Sequence, residues 1–481
     1  MTRARPAWII WAGLLLSFTS PRAAFPHSIS GADWRVHFNL PSRSGFAAGP
    51  WENSIRDALL GRINALQTNH VAHLATYTFS GNSAGTGCAG PMLLAISNAL
   101  ARGARIHFVA DRGINTTSNY WPDISLASLA ALPANPLQLS VDASAFGVMH
   151  NKLGVFDFGG DEKWVFITSW NFTGGASIYQ WNIALELRGA PLFAAYTNET
   201  AEFAAGRFHA DPAKSHAHDG IAFTLRDAWR SGFVRFAPYP DSSTGGNNAQ
   251  TDITNLIAAA QTEIFFALNK LTRPLIRDAL IAAADRGVMV FGCMPQSDWA
   301  DPSDDSYTTY AYLNDPGNYA GTNRVHFLPA YSRADYSTLD AGESDLVHTK
   351  YLVIDPWGAN PVVIHGSANW TDAGLASTSL NDENIVVVRH GDIARFFLAQ
   401  FKRMTGAWPD ESAAWTRIAR TGSAARVDFW VPQTNTHYLE TAPGPDQPWE
   451  PIGAFFSNFV GGISIVTNRA DGRAVFRLRR E

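Results

Sequence analysis

A chain of 481 residues has room for two or three domains, and 46% hydrophobic against 16% charged content excludes a disordered protein. A formal charge of −5 and a pI near 6.3, with no long basic run, weigh against a nucleic-acid partner, which imposes a basic footprint. Two cysteines, Cys88 and Cys293, make no disulfide framework, and each reads more readily as an unpaired buried thiol.

In chain order, Arg3 and Arg5 precede an apolar run from Ala7 to Phe18 and small residues to Ala24, with no acid before Asp33. The run is shorter than the roughly 20 residues that span a bilayer, so residues 1–24 read as a cleaved signal peptide. The expectation is a soluble mature chain, secreted or periplasmic.

The next stretch, 33–219, alternates strand and helix patterns: strand Trp34–Leu40, helix Trp51–Ala65, strand His70–Phe79, helix Met92–Arg102 closed by Gly103, strand Ile106–Ala110. The stretch 231–405 repeats this: strand Phe233–Phe236, helix Thr251–Ala260, strand Glu263–Leu268, helix Pro274–Arg286 closed by Gly287, strand Val288–Cys293. Between them, Phe203–Asp219 carries His209, His216 and His218 in a spacing that fits no compact zinc pattern, and it reads as a solvated loop. Asp241–Asn248 and Asp298–Tyr319 are long polar segments of the kind that form rims or lids. Past Trp408-Pro409, short alternating segments broken by Pro and Gly predict a small all-β domain of sandwich type over 412–481.

Within this repeat lies a second, sharper one. His150-Asn-Lys152 leads to Asp157 and His348-Thr-Lys350 leads to Asp355, the two sets separated by 198 residues at every matched position. Ser169 and Asn171 follow the first histidine at the same distances as Ser367 and Asn369 follow the second. Extended backbone places each His and Lys on one face, opposite Leu153 and Val155 or Tyr351 and Val353. A lysine amid apolar neighbours needs an anion or a wet cleft to compensate it. One such segment would pass for a sheet edge with an ordinary lysine; two in register, each followed by Ser and Asn, do not.

These side chains suit a phosphodiester. Two Lys and two Asn can hold the nonbridging oxygens, while one imidazole attacks phosphorus and the other protonates the departing alkoxide, then activates water. Asp157 and Asp355 count with His150, Lys152, His348 and Lys350 as the catalytic set, although alternation turns both away from the histidines, toward a structural or orienting role.

His-x-Lys-x4-Asp followed by Gly/Thr-Ser-x-Asn, present twice, resembles the phospholipase D superfamily, or HKD family, over about residues 33–405. The resemblance implies a pseudo-twofold α/β/α fold, both histidines at one half-domain interface, and metal- and cofactor-free catalysis through a phosphohistidine. It implies His150 and His348 as nucleophile and acid/base in either order, Lys152, Lys350, Asn171 and Asn369 on the phosphate, and Ser169 and Ser367 as support. The Asn-x-Glu that often follows in the family is present as Asn381-Asp382-Glu383; the first half has Asn182-Ile183-Ala184 there, with Glu186 nearby, and Thr168 stands where the second half has Gly366.

Tyr120, Trp121, Trp170, Phe172, Trp299, Tyr307, Tyr310, Tyr312 and Trp370 could line an apolar entrance, stack bases, or simply pack. The expectation is a monomeric, secreted phospholipase D-type phosphodiesterase that hydrolyses phospholipid head-group bonds at a transient membrane contact and can transfer the phosphatidyl group to an alcohol. An extracellular nuclease, or a secreted binding protein without turnover, are the alternatives.

Overall fold

The computed structural model describes residues 28–405 except 40, 42–52, 82–86, 121, 210, 216, 227, 229, 238–247, 296–300, 329, 331–346 and 376–380, together with the backbone of six strands within 415–480. Residues 1–24, Trp121, Trp299 and 241–247 therefore lie outside the described residues.

Two eight-stranded mixed sheets form the body. The first runs edge to edge Ser28–Ser30, Trp34–Phe38, Ile183–Arg188, Lys163–Thr168, Leu153–Asp157, Val71–Thr76, Arg105–Ala110, Gln138–Val141. The second runs Ala222–Phe223, Gly232–Phe236, Asn384–Val388, Val362–Gly366, Lys350–Ile354, Glu263–Leu268, Met289–Cys293, Val325–Phe327. Order and direction match strand for strand, so the duplication read from the polar residues extends through the whole topology. Six further strands between Trp415 and Arg480 form two three-stranded antiparallel sheets.

Each sheet is covered on its outer face by its own helices. Ser54–Asn64 and Ala89–Ala101 bury Ile55, Leu59, Ile63, Met92, Leu93 and Ile96 against one; Asn248–Ala259 and Pro274–Asp285 bury Ile253, Ile257, Ile276 and Leu280 against the other. A central cluster joins both inner faces with the helices Ala190–Ala204 and Gly391–Met404. The latter is buried almost all round, from Ile393 through Phe396, Phe397 and Phe401 to Met404. A helix lying between two sheets has no solvent face to keep polar.

Both sequence-marked helix ends close alike. Gly103 and Gly287 take φ of +88° and +94°, and the Ala104 and Val288 amides reach back to Ala99 and Ala283. That left-handed closure favours glycine in each half. The Thr168/Gly366 difference is likewise a matter of packing. A Cβ at Gly366 would stand 2.0 Å from the Asn384 carbonyl, with Ile385 paired beside it; Thr168 instead faces the smaller Ala184 and donates to the Ile183 carbonyl at 2.9 Å.

Candidate active site

Strand pairing brings the two motifs to the same end of their sheets and against each other. The His150 amide donates to the Asp382 carbonyl and the His348 amide to the Trp181 carbonyl, both at 3.0 Å, so each motif is stitched to the opposite half. Short parallel bridges, Met149 to Asp382 and Trp181 to Val347, repeat the exchange. Lys152 and Lys350 bend back so that Nζ donates to the carbonyl of their own histidine at 2.7 and 2.8 Å.

The histidine rings are held differently. His150 Nδ1 lies 2.6 Å from Glu383 Oε1, whose other oxygen accepts from the Ser367 hydroxyl at 2.6 Å. His348 Nδ1 lies 3.1 Å from Asn182 Oδ1, which accepts from the Ser169 hydroxyl at 2.9 Å. The two serines also accept from equivalent backbone amides, Ile183 and Asn384. Asn182 is therefore the structural counterpart of Glu383. Alignment on Asn-x-Glu had pointed to Ala184 and Glu186, but Glu186 turns into the sheet to His37 and Arg62, each at 2.7 Å. The segment from Asn369 to Glu383 is longer than that from Asn171 to Asn182, and this displaces the spacing.

Four buried or half-buried basic groups crowd one point. Burial, with Lys152 and Lys350 adding to it, lowers His150 to about 4 although Glu383 opposes the shift. Burial lowers Lys152 to about 7, against the pull of Glu383 and Asp111. Desolvation followed by repulsion from Lys350, Lys152 and His150 holds His348 well below its ordinary value, and burial with Lys152 does the same to Lys350. Burial alone would raise Glu383, yet His150, Lys152 and Ser367 bring it below the usual carboxylate range. So much depressed basicity around one carboxylate is the electrostatics of a site built for an incoming anion.

Asn171 and Asn369 follow the two serines with amide oxygens buried and unpartnered among the described residues. An amide oxygen only accepts, so a phosphate would meet the Nδ2 side of each amide and not these oxygens. Asp157 and Asp355, by contrast, end their strands about 16 Å of extended chain beyond the lysines. Asp157 is partly exposed, pairs with Lys163 at 2.5 Å and accepts from the Gly159 amide. Asp355, buried with φ of +45°, accepts from the amides of Gln261, Thr262 and Glu263 and from the Thr262 hydroxyl. Both pin strand ends, and neither enters the site.

Three neighbours take no role from the sequence: Asn182 and Asp382, which enter it only as members of the matched Asn-x-Glu segments, and Tyr77. The Tyr77 ring meets His150 edge-on at 4.9 Å and lies 5.3 Å from Lys152 Nζ. Its register counterpart in the second half is Asn269, which instead bonds the Val347 carbonyl. Of the other readings, the histidine segment is corrected, while the buried aromatics and the cysteines take the packing and unpaired-thiol readings. Trp170, Phe172 and Trp370 are fully buried core residues, so they line no entrance. The segment around His209 and His218 is not merely a solvated loop, since Lys214 is buried and paired with Glu199 and both rings are buried against carboxylates. Cys88 and Cys293 are buried, separate thiols, pushed far up by burial. No group of three or more metal-ligating side chains occurs among the described residues, and no helix there is long and apolar enough to cross a membrane.

Two sheets of identical order, sharing one centre with a histidine and a lysine from each, define a duplicated phosphodiesterase fold. The family model described as the PLD-like domain of cardiolipin synthase matches residues 62–203 and 253–405, so the chain belongs to that family, within the phospholipase D superfamily. No curated protein matches the sequence. Among solved structures, phosphatidylserine synthase of Haemophilus influenzae is similar at 13% identity over 77% of this chain and 85% of that one, with a TM-score of 0.49. Polyphosphate kinase of Porphyromonas gingivalis is similar at 11% identity over 72% of this chain, TM-score 0.47, and the match spans 47%, about half, of the kinase. Nuc of Salmonella typhimurium is 23% identical over 36% of this chain and 93% of its own, TM-score 0.26. Likenesses of this size carry no argument about substrate.

Proposed function

We propose that the chain is an exported phospholipase D-type enzyme that cleaves, or exchanges, the phosphodiester bond between a phosphatidyl group and its head-group alcohol. The observation that carries the reading is the crossed pairing: each histidine ring is oriented by a side chain from the opposite half, at 2.6 and 3.1 Å, beside both lysines. A single phosphodiester anion between the halves restores basicity to the lysines and histidines and offsets their mutual repulsion. The acidic net charge and the description of the matching family model support lipid over nucleic acid.

The unequal partners assign the roles. His150, donating its Nδ1 proton to Glu383, keeps the Nε2 lone pair for phosphorus, and the carboxylate balances the cation formed when the P–N bond forms. His348, backed by a neutral amide, takes up its proton as the anion binds and delivers it to the leaving alkoxide. It then removes a proton from water, or from an acceptor alcohol, whose oxygen attacks phosphorus and breaks the P–N bond.

The test offers purified protein phosphatidylcholine with and without ethanol, and DNA in parallel, all in excess chelator. Choline release with phosphatidylethanol is the expected result, and DNA cleavage alone would overturn the lipid reading. With an activated leaving group, His348→Ala should accumulate a phosphoenzyme that His150→Ala does not form; the reverse would exchange the two roles.

A further inference from the structure

The segment between the two halves carries a buried chain of charge that ends at the motif of the first histidine. Asp142 Oδ2 lies 2.9 Å from His209 Nε2, and His209 Nδ1 lies 3.0 Å from Asp382 Oδ2, the latter pair within ion-pair range but outside hydrogen-bond geometry. Asp382 Oδ1 accepts from the His209 amide at 2.9 Å and from Lys214 at 2.6 Å. Lys214 reaches on to Glu199 at 2.8 Å, and Glu199 to His218 at 2.7 Å. All six side chains are nearly or wholly buried.

This is an expensive arrangement for a connecting segment. Burying six ionisable groups costs several kcal/mol per unpaired charge, and well-packed apolar residues would hold a linker as firmly. What the charges do hold is Asp382. Its backbone carbonyl receives the His150 amide at 3.0 Å, its own amide donates to the Val148 carbonyl at 3.0 Å, and the next residue is the Glu383 that orients the His150 ring. Asp142 belongs to the same loop, ten residues or fewer before His150, and Met149 is tied by its amide to Asp111 at 2.9 Å. The counterpart of Asp382 across the pseudo-twofold is Trp181, an apolar, fully buried residue whose carbonyl serves His348 in the same way. One histidine is thus set by hydrophobic packing and the other by an ionic clamp.

Resting on the reading of His150 as a reacting group, we propose that Asp382 is a positioning residue, clamped by His209 and Lys214, that fixes the Glu383–His150 pair at the distance turnover needs. His209 and Lys214 of the connecting segment are on this view part of the apparatus that sets the site, although neither side chain touches the reacting atoms. Misplacement of an oriented group by an ångström is enough to cost a large factor in rate while leaving substrate binding intact.

The experiment uses the full chain with Asp382→Asn, which leaves Lys214 its partner Glu199, and His209→Gln. Two quantities are read: the downfield proton of the His150–Glu383 hydrogen bond, by NMR of the resting protein with labelled histidine, and kcat and KM separately on the phosphodiester. The proposal expects the downfield proton to shift or broaden in both variants, and kcat to fall at least about tenfold with KM changed less than about twofold. An unmoved resonance with unchanged kcat in either folded variant overturns it, as does a loss confined to melting temperature or to KM. If the wild-type chain turns over no phosphodiester, the functional reading fails and the resonance alone decides the clamp. Should Asp382→Asn not fold, His209→Gln carries the same two readouts.

Discussion

The two halves share sheet order, helix closures and motif, and they differ at four matched places around one site. Glu383 faces Asn182, Asp382 faces Trp181, Tyr77 faces Asn269, and Gly366 with Ile385 faces Thr168 with Ala184. The last pair is a packing difference: the neighbouring backbone closes on Gly366 too tightly for a Cβ, whereas Thr168 keeps its side chain and bonds the Ile183 carbonyl. The other three bear on the histidines: two place the charged residue, Glu383 or Asp382, on the His150 side, and the third sets the Tyr77 ring against His150 where the other half has Asn269. Duplication supplied a symmetric frame; the side chains that orient the rings then made the two histidines unequal.

The coarsest way to break this comparison is to remove each ring. His150→Ala and His348→Ala should each reduce steady-state turnover by about 10⁴-fold or more, since groups acting as a unit fail together. Near-normal head-group release from either variant would mean that one half works alone. The next comparison separates the orienting partners. Glu383→Gln should lower kcat by about 10²–10³-fold, the scale of losing a preorganised charged partner, whereas Asn182→Ala should cost about tenfold. Equal losses would show that the carboxylate has no special part. Asn182→Asp sharpens the point by giving His348 the partner it lacks: the limb of the pH–rate profile that reports His348 should move upward by about one unit.

A third test trades function for stability. Lys152 has a folded value of about 7 against an ordinary 10.5, so between those values the unfolded chain binds a proton the folded chain does not. Its burial therefore destabilises the fold fully below about pH 7, and the penalty is relieved as pH rises toward 10.5. Lys152→Met should abolish turnover yet raise the melting temperature near neutral pH, with the gain vanishing in strong alkali. Smallest are the two aspartates. Asp355→Asn should lower stability by about 1–3 kcal/mol, because buried amides lose a charged acceptor, and Asp157→Asn by less than about 1 kcal/mol; head-group release should survive both. Denaturant unfolding distinguishes them.

Much of this was legible in the chain. The strands and helices of the duplicated unit fall within a few residues of where periodicity, Arg-Gly stops and apolar runs place them, because those signals act over a single element. The His, Lys, Ser and Asn positions could be read because duplication marks them twice. Asp157 and Asp355 carried the same duplicate mark for a different reason: both tie strand ends, and a repeat preserves scaffolding as faithfully as chemistry. His209 and His218 misled because polar composition predicts exposure unless partners are known, and theirs lie in Asp142, Glu199 and Asp382.

What the sequence by itself determined is the duplicated α/β unit and the residue types that meet a phosphodiester, since both follow from periodicity and spacing along one chain. Which carboxylate or amide stands behind each ring was decided only by tertiary structure. Those contacts join residues more than 160 positions apart, across an interface between the halves, and a loop three residues longer in one half shifts the partner without altering any local pattern.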